Sequence, residues 1–179
     1  MKDVITMSGI VKITKMENNK ETGYFVIKNK INNNMRIALG DLICKNPYIN
    51  REYNYISEMR IYGVTNSSEL NEIPAPTAND VLSSRPHIPK VLGTTLTATS
   101  NVIDGTNLFS AIVYNDDYLA SSNTFYISDI VLVGKRGTDS LEVWSRVLAP
   151  SDGSSGEIGL LKTPSVSYRI DWYIIFNQE

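Results

Sequence analysis

The stretch Tyr168-Arg169-Ile170-Asp171-Trp172-Tyr173-Ile174-Ile175-Phe176 decides the fold class of this chain. Its even-numbered positions are all apolar or aromatic, whereas Arg169 and Asp171 stand between them. A period of two in a β-branched and aromatic background is typical of a strand with one face toward a core. We therefore expect a strand with Tyr168, Ile170, Trp172, Ile174 and Phe176 on its buried face.

Similar patterns predict further strands, and turn-forming residues separate most of them. A short helix is possible over 77–83, with Thr77 or Asn79 as its N-cap. Many short strands with turn signals between them favour an all-β fold, an antiparallel β-sandwich of jelly-roll or Greek-key type with long loops and little helix. The other predicted strands cover residues 5–13, 23–28, 35–39, 56–62, 108–114, 125–133 and 141–148.

The size of the chain favours one domain over residues 1–179. Of its 179 residues 42% are hydrophobic and 20% are charged, as in proteins that fold in water around a core. Cys44 is the only cysteine, so no disulfide can form within one chain. We expect no secretion signal at the N-terminus and no membrane span, because the apolar runs are too short to cross a bilayer.

The segment from residue 72 to residue 91 has a different composition. It holds four of the seven prolines, which remove backbone donors and disfavour both helices and central strands. Two interpretations stay open: a long connection across one end of the sandwich, or an arm that reaches a neighbouring subunit. In the second case the candidate subunit-contact residues are Pro74, Pro76, Arg85, His87 and Pro89.

Residues with catalytic or metal-binding chemistry are few. His87, the only histidine, lies in a proline-rich stretch without a nucleophile motif, and Cys44 has the pattern of a small buried residue. Asp116-Asp117 lacks the spacing of a calcium loop, and the glycines of 153–159 lack the lysine of a phosphate-binding loop. The sequence therefore predicts no enzyme, no cofactor and no metal.

Charge is unevenly distributed along the chain, although the net charge is −2. Residues 1–60 carry ten Lys and Arg against six Asp and Glu, and the remainder carries seven against thirteen. The lysines are scattered rather than clustered with stacking aromatics, which disfavours nucleic-acid binding. Head-to-tail packing of basic and acidic patches in a ring is compatible with this distribution.

The second half of the chain, mainly residues 108–176, resembles a known group of proteins. The order of strands 109–114, 125–133 and 141–148, followed by Lys162-Thr163-Pro164 and a final aromatic strand, is similar to small structural proteins of tailed bacteriophages. The upstream run Met35-Arg36-Ile37-Ala38-Leu39-Gly40 is similar to a strand near the start of such proteins. The resemblance implies a non-catalytic virion protein of the tail, neck, baseplate or fibre, made in the host cytoplasm, whose partners are copies of itself and other virion proteins.

A second function stays open, that of a carbohydrate-binding β-sandwich which recognises a host-surface glycan. Such a module needs exposed aromatic rings to stack on sugar faces. The candidates in polar surroundings are Tyr48, Tyr53, Tyr55 and Tyr118. These rings could equally lie at strand edges or subunit contacts, where amphipathic side chains are common.

Overall fold

The protein is an antiparallel β-sandwich, as the sequence predicts. The computed structural model describes residues 5–43, 55–101, 105–136, 140–153 and 158–178. Besides the strands and one α-helix it contains a short 3-10 helix over Ser67–Glu72. The strands and the helix are β1 (Ile5–Glu17), β2 (Lys20–Ile31), α1 (Asn33–Ile43), β3 (Tyr55–Val64), β4 (His87–Val91), β5 (Leu96–Asn101), β6 (Thr106–Val113), β7 (Phe125–Lys135), β8 (Leu141–Leu148), β9 (Leu160–Lys162) and β10 (Val166–Gln178).

The strands form two sheets that share β2. The first sheet has the order β2-β1-β10-β6-β5, and the second has the order β4-β3-β7-β8, with β9 also paired to β7. β2 pairs with β1 as far as Asn29, and its last residues, Lys30 and Ile31, pair with β8 of the second sheet. One long strand therefore joins the two layers, and every pairing between the strands is antiparallel.

The core lies between the two sheets and follows the alternation that the sequence shows in β10. Tyr168, Ile170, Trp172 and Ile174 are at most 1% exposed, and Phe176 packs against the same cluster. They belong to one apolar cluster with residues of the second sheet. Those residues include Met59, Ile61, Ile130 and Leu132.

The second sheet is buried on its outer face as well. Val131 and Val133 of β7 form a separate cluster with Tyr62 and Val143, and Leu82 of the proline-rich stretch packs against it. Burial on both faces explains why the sequence of β7 is a nearly continuous apolar run and does not alternate between apolar and polar residues. The candidate site lies where residues 72–91 cover this outer face.

The strand predicted over 35–39 is wrong, because these residues lie within α1. The Asn32 side chain accepts a hydrogen bond from the backbone N–H of Asn34 at 2.9 Å, which is the arrangement of an N-cap. Met35 and Ala38, three residues apart, are buried on one face of the helix. The cap and this spacing outweigh the alternation that the short run suggests.

The short helix predicted over 77–83 is also wrong. Asp80 instead accepts hydrogen bonds from the backbone N–H and the hydroxyl of Thr77, which closes a turn. The chain then runs without regular structure to β4, a strand that proline content argued against. Pro89 is tolerated there because β4 is an edge strand, which pairs with β3 alone among the described strands.

Candidate functional site

The proline-rich segment, residues 72–91, lies on the outer face of the second sheet of its own chain. The backbone N–H of Asn33 donates to the carbonyl of Ala78 at 2.8 Å. The Tyr62 hydroxyl donates to the carbonyl of Ser83 at 3.2 Å, and β4 at the end of the segment pairs with β3. The segment is therefore attached along its length to a face of the sandwich rather than across one end.

A buried carboxylate, Asp129, is the centre of the strongest attachment. Arg85 of the segment binds both of its oxygens through Nη2, at 2.8 and 2.9 Å. The Nη1 atom of Arg85 donates to the hydroxyl of Ser128 at 3.2 Å, and this hydroxyl donates to Asp129 at 2.7 Å. Asp129 is fully buried, so its charge requires these partners.

Arg146 on β8 supplies the second cation and a second attachment. Its Nε donates to Asp129 at 2.7 Å, and its Nη2 donates to the carbonyl of Pro74 at 3.0 Å. Its Nη1 lies 3.7 Å from Asp80, which itself closes the turn at Thr77. One guanidinium thus links the sheet to two points of the proline-rich segment. We call the group Arg85, Ser128, Asp129, Arg146 and Asp80 the Asp129 cluster.

Aromatic rings extend the Asp129 cluster toward β4. The Arg85 guanidinium carbon lies 4.9 Å from the centre of the Tyr62 ring, within cation–π range. The rings of Tyr62 and His87 lie 5.1 Å apart and are tilted by 47°. Two of the predicted contact residues, Arg85 and His87, therefore direct their side chains to groups of their own chain.

A cavity of about 410 Å³ lies between the segment and the sheet. The charged groups on its wall, which include Arg85, Asp129 and Arg146, are bound to one another or to backbone carbonyls. The aliphatic part of the wall is Val81, Leu82, Val131 and Val143. These charged groups attach the segment to the sheet, because they are paired with groups of the same chain.

The remaining predicted contact residues face outward to differing degrees. Pro74 and Pro89 are exposed and Pro76 is half-buried. Val81 is 84% exposed, although it is aliphatic and lies on an attached segment. The structure holds one chain, so a subunit contact through these residues stays a prediction.

A second polar cluster holds the loop of residues 114–124, between β6 and β7. The ammonium of Lys162 is buried and donates to the carbonyls of Asn115, Asp117 and Asn123 at 2.7, 2.7 and 3.0 Å. It lies 5.5 Å from the centre of the Phe125 ring. Burial lowers the pKa of Lys162 from its usual value, and the charges of Asp117 and Asp116 oppose that shift. We call residues 114–124 the lysine-bound loop.

Lys90 of β4 fixes the start of this loop. Its Nζ binds the Asp117 carboxylate at 2.6 Å, and the same carboxylate accepts from the backbone N–H of Tyr114 at 2.8 Å. The Asp116-Asp117 pair is thus a turn in which Asp117 has a lysine partner. Within the described ranges no group of three or more His, Cys, Asp or Glu residues could hold a metal ion.

Of the tyrosines proposed for sugar stacking, the two in the described part of the chain do not form one surface. Tyr48 and Tyr53, like Cys44, lie outside the described residues. Tyr55 begins β3, whereas Tyr118 belongs to the lysine-bound loop near the other end of that strand. A strand of this length spans about 30 Å. The lysine-bound loop carries a different pair, Tyr114 and Tyr118, which are 49% and 60% exposed.

Sequence reasoning missed Asp129, Arg146 and Lys162, the residues that organise both clusters. A signal exists for two of them, since Asp129 and Arg146 are charged residues inside predicted strands that are otherwise mostly apolar. Lys162 ends the three-residue β9 and has no such signal. A charge in such a place needs a partner inside the fold. The identity of the partner follows from the topology and not from the local pattern.

Comparison with known proteins gives no relative for this chain: no family model, no curated protein and no solved structure matches it. In the part of the chain that the structure describes, no helix is long and apolar enough to cross a membrane.

Proposed function

We propose that this protein is a non-catalytic structural subunit of a tailed-phage virion, which assembles as a symmetric oligomer in the tail, neck or baseplate. The resemblance of residues 108–176 to small phage structural proteins motivates the proposal. Its partners are copies of itself and other virion proteins, and the virion is its location. The support from the structure is a β-sandwich whose attached proline-rich segment leaves Val81 exposed.

The observation that carries the proposal is the exposure of Val81 on a segment that is fixed on both sides of it. The Asp129 cluster holds Asp80 and Arg85, and the Tyr62 hydroxyl holds the carbonyl of Ser83. A contact segment that is already ordered loses little conformational entropy when a partner binds. Val81 is therefore suited to be a preorganised apolar contact between subunits.

Mass spectrometry of gradient-purified particles from the phage or prophage that encodes the chain tests the function. We expect the chain in intact particles at a fixed copy number that fits the symmetry of a ring. Absence from clean particles would exclude the virion function.

A matched pair of variants tests the contact segment. Val81→Asp places a charge on the exposed segment, and Val26→Asp places the same charge on β2, where Val26 is 59% exposed. We expect Val81→Asp to lower incorporation into particles at least tenfold and Val26→Asp to leave it unchanged, with both variants folded by circular dichroism. Equal incorporation of the two would remove Val81 from the contact.

Glycan recognition is the second candidate function, and the lysine-bound loop favours it. Tyr114 and Tyr118 are exposed on a loop that buried Lys162 holds at three carbonyls, so the backbone next to both tyrosines is held before any ligand binds. Glycan-array binding that is lost in Tyr118→Ala and kept in Tyr24→Ala, at an equally exposed tyrosine, would support this candidate. Absence of binding to any glycan would exclude it.

A further inference from the structure

The edges of the two sheets differ in how well they are protected against pairing with another chain. An exposed edge strand offers unpaired backbone groups, and proteins usually block it with charge, proline or short length. In the second sheet, β4 carries Pro89 in its centre and β9 is three residues long. In the first sheet, the β2 edge carries the exposed residues Lys20, Glu21 and Lys28.

β5, at the opposite edge of the first sheet, has none of these protections. Its sequence Leu96-Thr97-Ala98-Thr99-Ser100-Asn101 contains no charge and no proline. β5 pairs with β6 on one side. On the other side Leu96 forms a bridge with Leu92, and no described strand pairs with the rest of β5. Every residue after Leu96 is exposed. Compared with β4, β9 and the β2 edge, β5 is therefore the described edge that is best suited to accept another strand.

The turn before β5 shows which backbone groups are available. The carbonyl of Leu96 accepts from the N–H of Gly93 at 3.0 Å, so it points away from β6 and is already used. Backbone groups alternate in direction along a strand, and those of one residue point to the same side. The N–H and C=O groups of Ala98 and Ser100 therefore also point away from β6. They lie between Leu96, whose carbonyl is bound by Gly93, and the end of the strand.

We propose that β5 pairs with β5 of a second copy of this chain, antiparallel, about a two-fold axis at Thr99. An axis at Thr99 places Ala98 of each copy opposite Ser100 of the other, so the outward backbone groups of both residues are used. An uncharged strand meets an identical strand without charge repulsion, and two-fold contacts between like surfaces are the commonest closed symmetry. The first sheets of two copies then form one continuous sheet.

This inference deepens the proposed function, on which it rests for the existence of a symmetric oligomer. It adds the surface and the symmetry of one contact. A two-fold contact at β5 leaves the proline-rich segment free for contacts with other neighbours, because that segment lies on the second sheet. The two contacts can therefore be tested separately.

Cysteine cross-linking tests the register. Thr99 would face Thr99 of the second copy in a pair without mutual hydrogen bonds, with Cα atoms about 4.5 Å apart, which is within the range of a disulfide. In a Cys44→Ser background, which removes the native thiol, we expect Thr99→Cys to form a covalent dimer on mild oxidation. Thr22→Cys, at an exposed threonine of the β2 edge, is the matched control and should stay monomeric on a non-reducing gel.

Light scattering with size-exclusion chromatography tests the contact without a cross-link. We expect wild-type protein at twice the mass of one chain, the double variant Thr97→Lys/Thr99→Lys at the mass of one chain, and Thr22→Lys at the wild-type mass. Both positions in the double variant are exposed, so the fold should be retained. The β5 contact would be overturned if the double variant forms the same oligomer as the wild type and Thr99→Cys gives no covalent dimer. That result would leave the virion function intact. Wild-type monomers at high concentration without cross-linking would also overturn the β5 contact, whereas the presence of the chain in particles is decided independently by mass spectrometry.

Discussion

Arg146 and Asp129 lie on neighbouring strands of the second sheet, with 2.7 Å between Nε and Oδ2, and both side chains are at least nine-tenths buried. Asp129 binds Arg85 through the same carboxylate, so one anion forms ion pairs with two guanidinium groups from different parts of the chain. The relationship explains how a proline-rich segment with little regular structure acquires a fixed position. The sheet provides the anion, and the segment provides one of the cations.

Asp129→Asn should therefore lower the free energy of unfolding substantially. The variant keeps the shape of the side chain but removes its charge, so Arg85 loses its carboxylate partner and Arg146 is left with the longer contact from Nη1 to Asp80 at 3.7 Å. Loss of one partner from a buried ion pair costs about 3–5 kcal/mol. Urea denaturation measures the change. Asp116→Asn, the same substitution at an exposed position, should change the free energy by less than about 0.5 kcal/mol. Equal effects of the two substitutions would contradict the role of the cluster.

The sequence was sufficient for features that depend on local patterns and insufficient for those that depend on topology. The alternation in 168–176 identifies the buried face of β10, because side-chain direction in a strand has a period of two. The run 35–39 predicts a strand although it forms a helix, because five residues are too few to distinguish a period of two from a period of 3.6 without the cap at Asn32. The partners of Asp129 are 44 and 17 positions away, at Arg85 and Arg146, so no local pattern could assign them.

Lys162→Met should loosen the lysine-bound loop. Methionine fills similar space but donates no hydrogen bond, so the carbonyls of Asn115, Asp117 and Asn123 lose their shared donor. Hydrogen bonds to a charged group contribute roughly 1.5–3 kcal/mol each, and water can recover part of this at the loop. We expect a loss of about 2 kcal/mol by urea denaturation and faster amide exchange confined to residues 114–124. Unchanged exchange in the loop would show that Lys162 does not hold it.

Tyr168 should make stability fall at alkaline pH. Burial raises the pKa of its hydroxyl well above the usual value of about 10, and the charges of Asp152 and Glu17 act in the same direction. Below pH 10 both the folded and the unfolded state keep the proton, so the contribution of this group is constant. Above pH 10 the unfolded state loses the proton first, and stability decreases by about 1.4 kcal/mol per pH unit until the folded pKa is reached.

Tyr168→Phe isolates this effect, because phenylalanine does not titrate. At pH 8 the variant should be less stable than wild type by about 1 kcal/mol, since it loses the hydrogen bond from the hydroxyl to the carbonyl of Leu161. Between pH 10 and pH 11 the difference should shrink and then reverse. Guanidinium denaturation at both pH values measures it. A difference that is independent of pH would contradict a raised pKa.

Gly134→Ala should be one of the least tolerated small substitutions in the second sheet. A Cβ atom at residue 134 would overlap the indole ring of Trp144, which is buried and packed in the main core. The ring would have to move, and overpacking of this kind costs about 1–3 kcal/mol or more. Gly23→Ala on β2 is the matched control, since its Cβ would meet no atom within 4 Å. We expect a lower melting temperature and an altered tryptophan emission spectrum for Gly134→Ala, and neither for Gly23→Ala. If both variants melt at the wild-type temperature, Trp144 does not pack on the backbone of β7.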